Sequence, residues 1–386
     1  MQGFTFNTTP SVVFRDGAAA ELGAIAGARL GPRVLFVTDP GLRKLGLCDG
    51  AIASLEAAGA DVTLYDRIEP DPTLAILDEA TEAGRAAAVT GVVGFGGGSS
   101  LDIAKVVALL LGSGEPLDEA WGVGNAKGPR LPLVLVPTTA GTGSEVTPVS
   151  ILTVSAIEKR GVSSPVILPD VALLDPSLTV GLPGAITAAT GVDAMVHAIE
   201  AYASASPNNN PQSRMLAREA LRLLGANIET AFTTPGDIAA RGAMLYGSML
   251  AGQAFANAPV AAVHALAYPI GSGFHIPHGL SNALVLPHVL RFNAPEAHAT
   301  YAEIAPDAFP ELAEIADSAA RCDAFIAALE ALAARLDLPP RLRDVQIPES
   351  ALEGMARDAM LQQRLLVNNP RPVTEADALA IYRAAW

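Results

Sequence analysis

Cysteine is nearly absent from the sequence, since Cys48 and Cys322 are the only two among 386 residues. Two cysteines in a chain of this length are not a disulfide framework, and they favour a reducing compartment. The first residues also lack the basic segment and the long apolar core of a signal peptide. We therefore expect a cytoplasmic protein.

Basic side chains are few as well, because 25 lysines and arginines stand against 40 acidic residues and give a net charge of −15. This balance argues against nucleic acid or an anionic membrane surface as a partner. Apolar runs such as residues 106–111 are far too short to span a membrane. Half of the residues are nevertheless hydrophobic, and a chain of this length predicts two domains.

Two regions of different pattern follow one another along the chain. From about residue 11 to 140, continuous Val, Ile and Leu runs alternate with helical patterns, which is typical of a doubly wound parallel sheet. After Pro183, Ala- and Leu-rich helical patterns continue to the end. We predict an α/β nucleotide-binding domain at residues 1–182 and an all-α domain at residues 183–386.

Histidine is also scarce, yet three of the six histidines lie between residues 263 and 282. Pro269 and the glycines after it predict the end of one helix, and Pro277 predicts the start of another. His264 would then lie near a helix end, and His278 just after a glycine-rich loop. Two neutral imidazoles placed in this way are good ligands for a divalent first-row metal.

A second pair of candidate ligands lies on the predicted helix TGVDAMVHAIEAY. Asp193 and His197 are four residues apart, which places them on one face of that helix. With His264 and His278 they form a set that suits Fe²⁺ or Zn²⁺ better than Mg²⁺ or Ca²⁺. His275 is a reserve ligand. Ordinary helix-end and core histidines are the alternative, and spacing alone does not decide between the two.

Two glycine-rich loops follow predicted buried strands, GFGGGSS at residues 94–100 and PTTAGTGSE at residues 137–145. Glycine lets the backbone approach a ligand closely, and the helix after the first loop offers free N–H groups to a pyrophosphate. Parallel sheets bind ligands at this end of their strands. The hydroxyls of the second loop could bind phosphate or a nicotinamide ribose, or they could only cap a turn.

Asp39 ends the first long strand of the chain. An acidic side chain in this position can accept hydrogen bonds from the adenosine ribose and repel a 2′-phosphate. The residue therefore favours NAD over NADP as the cofactor. The alternative is a simple Asp-Pro turn.

Six motifs in this order make the chain resemble the iron-containing (group III) alcohol dehydrogenases of the dehydroquinate synthase-like superfamily. They are GGGSSLDIAK (96–105), PTTAGTGSEVT (137–147), LPDVALLDPSLT (168–179), TAATGVDAMVHAIEAY (187–202), residues 264–278, and NNPRPVTEADALAIY near the end. The resemblance covers nearly the whole chain. It implies a dehydroquinate synthase-like fold, an active site in the cleft between the two domains, and a homodimer.

The resemblance also implies which residues bind the cofactor and the metal. The residues that match the family's dinucleotide loops are Gly97, Gly98, Ser99, Asp102, Thr138, Thr139 and Thr142. Leu178 matches the residue that packs on adenine, and Lys159 approximately matches a lysine near the ribose. The residues that match the metal ligands are Asp193, His197, His264 and His278.

Three positions of this chain can be compared with the residues that other members of the family carry there. Many members carry a second histidine four residues after the third metal ligand, where this chain has Tyr268. Tyr268 would be a proton carrier, a shape filter for the substrate, or a packing residue. Asp71 stands where many members have Asn, which could weaken one cofactor contact. Maleylacetate reductases usually lack the acidic residue at Asp102 and the TTAGTGSE wording, so the chain is closer to the alcohol dehydrogenases.

The resemblance thus implies a metal-dependent, NAD(H)-linked alcohol dehydrogenase that also reduces aldehydes or ketones. A divalent metal would polarise the oxygen of the bound alcohol while the nicotinamide exchanges a hydride with its carbon. His264 and Tyr268 are the candidate catalytic residues, and we expect Fe²⁺, with Zn²⁺ as the alternative. The other readings are a maleylacetate or keto-acid reductase, a zinc glycerol dehydrogenase-like enzyme, and a non-catalytic nucleotide or metal binder.

Overall fold

The computed structural model describes residues 3–154 and 159–386. The chain forms two compact units. The sheet unit comprises Asn7–Thr139 and Gly143–Val180, and the helical unit comprises Met1–Phe6, Ala140–Thr142 and Gly181–Trp386. No helix in the described ranges combines the length and the apolar character needed to cross a membrane.

The strands of the described residues all lie in the sheet unit. In chain order they are β1 (Ser11–Phe14), β2 (Arg33–Val37), β3 (Asp61–Tyr65), β4 (Gly91–Gly96), β5 (Gly122–Val123), β6 (Leu133–Pro137), β7 (Val149–Thr153), β8 (Lys159–Ser163) and β9 (Val171–Leu174). The main sheet has the order β1-β9-β6-β4-β2-β3, and its neighbouring strands are parallel. A small sheet contains β5, β8 and β7.

Both faces of the main sheet are buried, which explains the continuous apolar runs in the sequence. Leu35 and Val37 of β2 belong to one hydrophobic core, and Val34 and Phe36 belong to the other. Alternate side chains of a strand point to opposite faces, so the two cores lie on the two sides of the sheet. This burial is typical of a sheet covered by helices on both faces, and the predicted α/β class is confirmed.

The helices of the sheet unit connect these strands. They are α1 (Leu22–Leu30), α2 (Pro40–Lys44), α3 (Asp49–Ala57), α4 (Leu74–Ala86), α5 (Gly98–Ser113) and α6 (Leu117–Ala120), with 3₁₀ helices at Ala18–Glu21, Ser144–Val146, Pro165–Ile167 and Pro176–Thr179. After β2 the chain continues to β3 at one edge and returns to β4 on the other side of β2. Ligands bind at the carboxyl ends of the strands where the order reverses in this way.

The helical unit contains long helices, as predicted. They are α7 (Gly184–Ala203), α8 (Pro211–Thr233), α9 (Ile238–Asn257), α10 (Ala262–Phe274), α11 (His278–Ala308), α12 (Ser318–Arg335), α13 (Leu352–Ala359), α14 (Gln363–Leu366) and α15 (Glu375–Ala385), with 3₁₀ helices at Pro310–Glu314, Leu342–Val345 and Glu349–Ala351. The start of α8 illustrates how the sequence begins these helices. Asn210 forms a capping box with Ser213, and Pro211 follows in the first turn.

The helix end predicted from Pro269 and the glycines after it is found just after the second of these glycines, Gly273, and not at Pro269. Pro269 lies inside α10, which continues to Phe274 and ends at His275 in a left-handed conformation with φ 56°. A proline inside a helix removes one hydrogen bond, but α10 is buried along most of its length. Its packing outweighs that loss, because tertiary contacts supply most of the stability of protein helices. The predicted helix start after Pro277 is confirmed, since α11 begins at His278.

Candidate metal centre and cofactor loops

The helical unit brings the four predicted metal ligands together. α7 carries Asp193 and His197, α10 carries His264 near its start, and α11 begins with His278. One donor atom of each side chain lies within 4.8 Å of the donor atoms of the other three. Two donors on one metal ion are about 3–4 Å apart, because each bond is about 2.0–2.2 Å long. Small side-chain movements would therefore suffice to close the four donors on one ion.

The protonation of these side chains suits a cation. His197 donates from Nδ1 to the Gly141 carbonyl oxygen at 3.2 Å, which leaves Nε2 as an acceptor. Burial lowers the pKa of His197 to about 3, so its ring is neutral at pH 7. Burial alone would raise the pKa of Asp193, but the three histidines and the Asn282 amide lower it overall. A neutral imidazole and an ionised carboxylate are the forms that bind metal.

Asn282 provides a direct test of the fit. Its Nδ2 lies 2.6 Å from Asp193 Oδ1 and 3.3 Å from Nε2 of both His264 and His278. An amide nitrogen has two hydrogens, so it cannot satisfy three acceptors. The Asn282 Oδ1 is buried and has no hydrogen-bond partner among the described residues. The Asn282 amide thus faces more acceptors than it can satisfy, which fits a site for a divalent cation.

Two aromatic side chains lie beside the cluster of donors. The rings of His197 and Phe255 are stacked with centroids 4.4 Å apart, and Tyr268 has its ring centroid 6.1 Å from that of His278. The Tyr268 hydroxyl accepts a hydrogen bond from the exposed Arg364 guanidinium at 3.2 Å. The His278 side chain is 38% exposed and that of Asp193 is 3% exposed. The cluster is therefore open on the side of His278, where the candidate catalytic residue Tyr268 lies.

His275 is not part of this cluster. It caps α10 in a left-handed conformation and is exposed, and it is absent from the group of clustered donors among the described residues. Its role as the reserve ligand therefore finds no support in the geometry.

The first glycine-rich loop and the start of the second lie side by side in the sheet unit. The Thr138 N–H donates to the Gly96 carbonyl oxygen at 3.0 Å, and a Cβ added to Gly97 would be 3.7 Å from Thr139 Cγ2. Gly96 has a φ of +147°, and a Cβ there would be 2.6 Å from Ser100 Oγ, so this turn requires glycine. The first N–H groups of α5 have no helical acceptor and can bind an anion.

Asp102 and Lys105 of α5 hold the end of the second loop in place through hydrogen bonds. Asp102 accepts from Ser144 Oγ at 2.5 Å and from the Ile151 N–H at 2.8 Å. Lys105 is fully buried, and its Nζ donates to Ser144 Oγ and the Val149 carbonyl oxygen, both at 2.7 Å. Both Asp102 carboxylate oxygens thus accept hydrogen bonds from groups of the protein itself. Sequence reasoning missed Lys105, although its position three residues after Asp102 was the available signal.

The remaining predicted cofactor residues occupy different places. Asp39 follows β2 at the point where the strand order reverses, and its side chain caps α2 by accepting from the Leu42 N–H at 2.9 Å. Asp71 and Lys159 form an ion pair of 2.5 Å.

Leu178 packs in one core of the sheet. Ser99 lies in the first turn of α5. Gly98 begins that helix, and Thr142 belongs to the helical unit. The cofactor roles of all these residues stay predictions.

Comparison with known proteins identifies the family. A family model described as "Iron-containing alcohol dehydrogenase" matches residues 9–176, and one described as "Fe-containing alcohol dehydrogenase family, C-terminal" matches residues 187–386. The chain belongs to the iron-containing alcohol dehydrogenase family. The predicted family is therefore confirmed, and the chain is an oxidoreductase of the alcohol dehydrogenase and aldehyde reductase type.

Relatives in this family are similar to this chain over nearly its full length. Long-chain-alcohol dehydrogenase 1 of Geobacillus thermodenitrificans is 42% identical over 93% of this chain and 91% of that protein. A crystal structure of a 1,3-propanediol oxidoreductase has a TM-score of 0.95 at 34% identity and covers 100% of both chains. The structure of sulfoacetaldehyde reductase from Bifidobacterium kashiwanohense in complex with NAD⁺ has a TM-score of 0.88 at 29% identity and covers 100% and 99%.

Proposed function

We propose that this protein is an NAD(H)-dependent, iron-dependent alcohol dehydrogenase that also reduces small aldehydes or ketones. The observation that carries the proposal is the cluster of Asp193, His197, His264 and His278, with donor atoms within 4.8 Å of one another. The family is iron-containing by its description, and three imidazoles with one carboxylate suit Fe²⁺, with Zn²⁺ as the alternative.

The residues of the helical unit would hold the metal and shape its surroundings. A bound divalent metal supplies a Lewis acid that polarises the substrate oxygen. Phe255 stacks on the His197 ring and covers that side of it. Tyr268 lies beside the partly exposed His278 and presents its hydroxyl close to Arg364. A substrate would therefore approach past Tyr268.

The sheet unit would bind the cofactor. Gly97, Gly98 and Ser99 form the start of α5, whose free N–H groups suit a pyrophosphate. Asp39 lies at the carboxyl end of β2 and supports NAD rather than NADP. A relative of known structure was solved with NAD⁺. A bound nicotinamide would exchange a hydride with the carbinol carbon, so the protein's part would be to position both reactants.

The proposal is tested with protein from which metal has been removed by a chelator. Anaerobic addition of Fe²⁺ or Zn²⁺ should restore about one metal ion per chain, together with NADH oxidation in a panel of aldehydes, ketones and keto acids that includes maleylacetate. The preferred substrate separates an aldehyde reductase from a keto-acid reductase. Activity that is equal before and after metal removal would refute the metal dependence.

His264→Ala and His275→Ala form a matched pair for the same assay. His264 is 3% exposed within the cluster, whereas His275 is exposed outside it. We expect the first change to lower metal content and turnover sharply and the second to leave both intact. Full metal content in His264→Ala would show that the ligand assignment is wrong.

The homodimer is a further proposal. Val12 and Phe14 on the edge strand β1 are 36% and 45% exposed, and exposed apolar side chains on a sheet edge are suited to contact with a second copy. Analytical ultracentrifugation should give twice the chain mass of 39.6 kDa, and a single species of 39.6 kDa would exclude it.

A further inference from the structure

Glu200 lies on the same face of α7 as two of the candidate ligands. It follows His197 by three residues and Asp193 by seven, which places the three side chains in one row along the helix. Glu200 itself is not among the clustered donors. It is nevertheless buried, with a side-chain exposure of 5%. A carboxylate almost never loses its water without specific partners, so its contacts need an explanation.

Both oxygens of the Glu200 carboxylate are used at the start of α10. Oε2 lies 2.6 Å from His264 Nδ1, and Oε1 accepts a hydrogen bond from the Val263 N–H at 2.7 Å. Val263 lies in the first turn of α10, where backbone N–H groups have no helical acceptor. The carboxylate therefore caps the helix and contacts the imidazole at the same time.

We propose that Glu200 is a positioning residue that fixes the orientation and the tautomer of His264 for metal binding. The inference rests on the proposed function, because it requires His264 to be a ligand. An ionised carboxylate only accepts hydrogen bonds, so His264 Nδ1 must carry the hydrogen. The lone pair is then on Nε2, the atom that lies 3.3 Å from the Asn282 amide donor on the cluster side. The contacts of both ring nitrogens agree on this tautomer.

Two effects on metal binding follow. A ligand that is already oriented loses little rotational freedom when it binds, and a carboxylate behind an imidazole makes the other ring nitrogen more basic. Gly141 provides the weaker version of this contact for His197, through a carbonyl oxygen at 3.2 Å. Loss of such a supporting contact typically weakens metal affinity by roughly 10- to 100-fold.

The test is a metal titration of the full chain. Metal-free native protein and Glu200→Gln are titrated with Zn²⁺ in competition with a chromophoric chelator, and with Co²⁺ while the visible absorption is recorded. Glutamine has nearly the same shape, but its amide has only one acceptor oxygen for two N–H donors. We expect Zn²⁺ to bind roughly 10- to 100-fold more weakly and the Co²⁺ spectrum to change.

Asp307→Asn is the matched control. Asp307 is also buried in the helical unit, with a side-chain exposure of 6%, and it pairs with Arg218 at 2.6 Å. The control should lower the melting temperature of the metal-free protein and keep the native Zn²⁺ affinity and Co²⁺ spectrum. A merely structural role for Glu200 predicts the same result for Glu200→Gln.

The outcomes separate this inference from the proposed function. If native protein binds neither Zn²⁺ nor Co²⁺, the proposed function fails. If native protein binds them and Glu200→Gln binds them within about twofold of native affinity, the positioning role is overturned. Should Glu200→Gln not fold, Glu200→Asp decides. Its shorter carboxylate should lengthen the contact with His264 and weaken Zn²⁺ binding, and native affinity would overturn the proposal.

Discussion

Tyr268 lies beside His278, the ligand on the open side of the candidate metal centre. We propose that the Tyr268 hydroxyl carries a proton, and we therefore expect Tyr268→Phe to lower kcat by roughly 10- to 100-fold at neutral pH and to change the pH profile. Steady-state kinetics over pH measure both. Tyr246→Phe on α9, where the side chain is 38% exposed, is the control.

Other results would assign Tyr268 differently. An altered substrate preference with an unchanged pH profile would indicate a shape filter. If neither changes, the residue only packs against its neighbours.

Asp39 is predicted to set the preference between NADH and NADPH. A carboxylate near a 2′-phosphate is a like-charge contact that should cost on the order of 1–3 kcal/mol. Asp39→Gly should therefore narrow or reverse the preference, measured as the ratio of kcat/KM for the two cofactors. Asp39 also caps α2, so Asp39→Asn serves as the control that retains the cap without the charge. Better kinetics with NADPH in the unmodified protein would contradict the prediction.

Side-chain spacing within a helix predicted part of the candidate centre. The i,i+4 pair Asp193 and His197 was recognisable because both residues lie on one helix. The contact of Glu200 with His264 joins residues 64 positions apart, and that of Arg364 with Tyr268 joins residues 96 positions apart. Such contacts depend on helix packing, which a periodic pattern does not specify.

Among the elements, α5 shows how one helix can support both glycine-rich loops. The first loop leads into its start, and Lys105 in its interior holds Ser144 of the second loop and Val149 after that loop. Lys105→Met should leave buried acceptors unpaired, which costs about 3–5 kcal/mol when a buried charged group is lost. We expect a lower melting temperature and NADH binding weakened by roughly tenfold, measured by fluorescence titration.

Lys127→Met is the control for this change. The Lys127 side chain is 66% exposed in its ion pair with Glu119, and exposed ion pairs contribute little. Equal effects of the two substitutions on NADH affinity would refute a specific role for Lys105.

Element boundaries were predictable where the sequence carries a cap. Threonine is a residue type favoured at helix starts, and Thr73 accepts from the Ile76 N–H at the start of α4. Pro269 was a misleading signal, because a proline usually ends an isolated helix. The packing of the buried helix α10 against its neighbours keeps it helical past Pro269. Sequence rules for helix ends therefore hold where contacts within the helix itself, such as a cap, dominate the free energy of helix formation.

At the scale of the whole molecule, the stability of the protein should depend on the charge of Glu145. Burial raises the pKa of Glu145 to about 7, although its own N–H and the charge of Lys105 lower it in part. The ordinary value is 4.5. The folded protein thus holds this proton more tightly than the unfolded chain does. That contribution to stability is complete below pH 4.5 and is lost as the pH rises through 7.

Glu145→Gln tests this dependence, because the amide stays neutral at every pH. We expect the free energy of unfolding of the variant to exceed that of the native protein by on the order of 1–3 kcal/mol at pH 8.5, and the difference to shrink towards pH 4.5. Denaturant unfolding at the two pH values measures it. A difference that does not vary with pH would contradict the raised pKa.

The fold class could be predicted from the alternation of apolar runs and helical patterns, since burial on both faces of the sheet requires continuous apolar runs in the strands. The order β1-β9-β6-β4-β2-β3 leaves no such trace, because any parallel arrangement of these strands would bury the same side chains. The predicted domain boundary at residue 182 stays a prediction.

The four clustered donors come from three separate helices, α7, α10 and α11. An ion shared among them would be a cross-link between distant parts of the chain, and only the folded protein offers it. By mass action, free metal at about 100 times its dissociation constant adds roughly 2.7 kcal/mol to stability. In a cell short of iron, more of the chain would open and be exposed to proteases. The supply of metal would then set how long each copy survives as well as how fast it turns over.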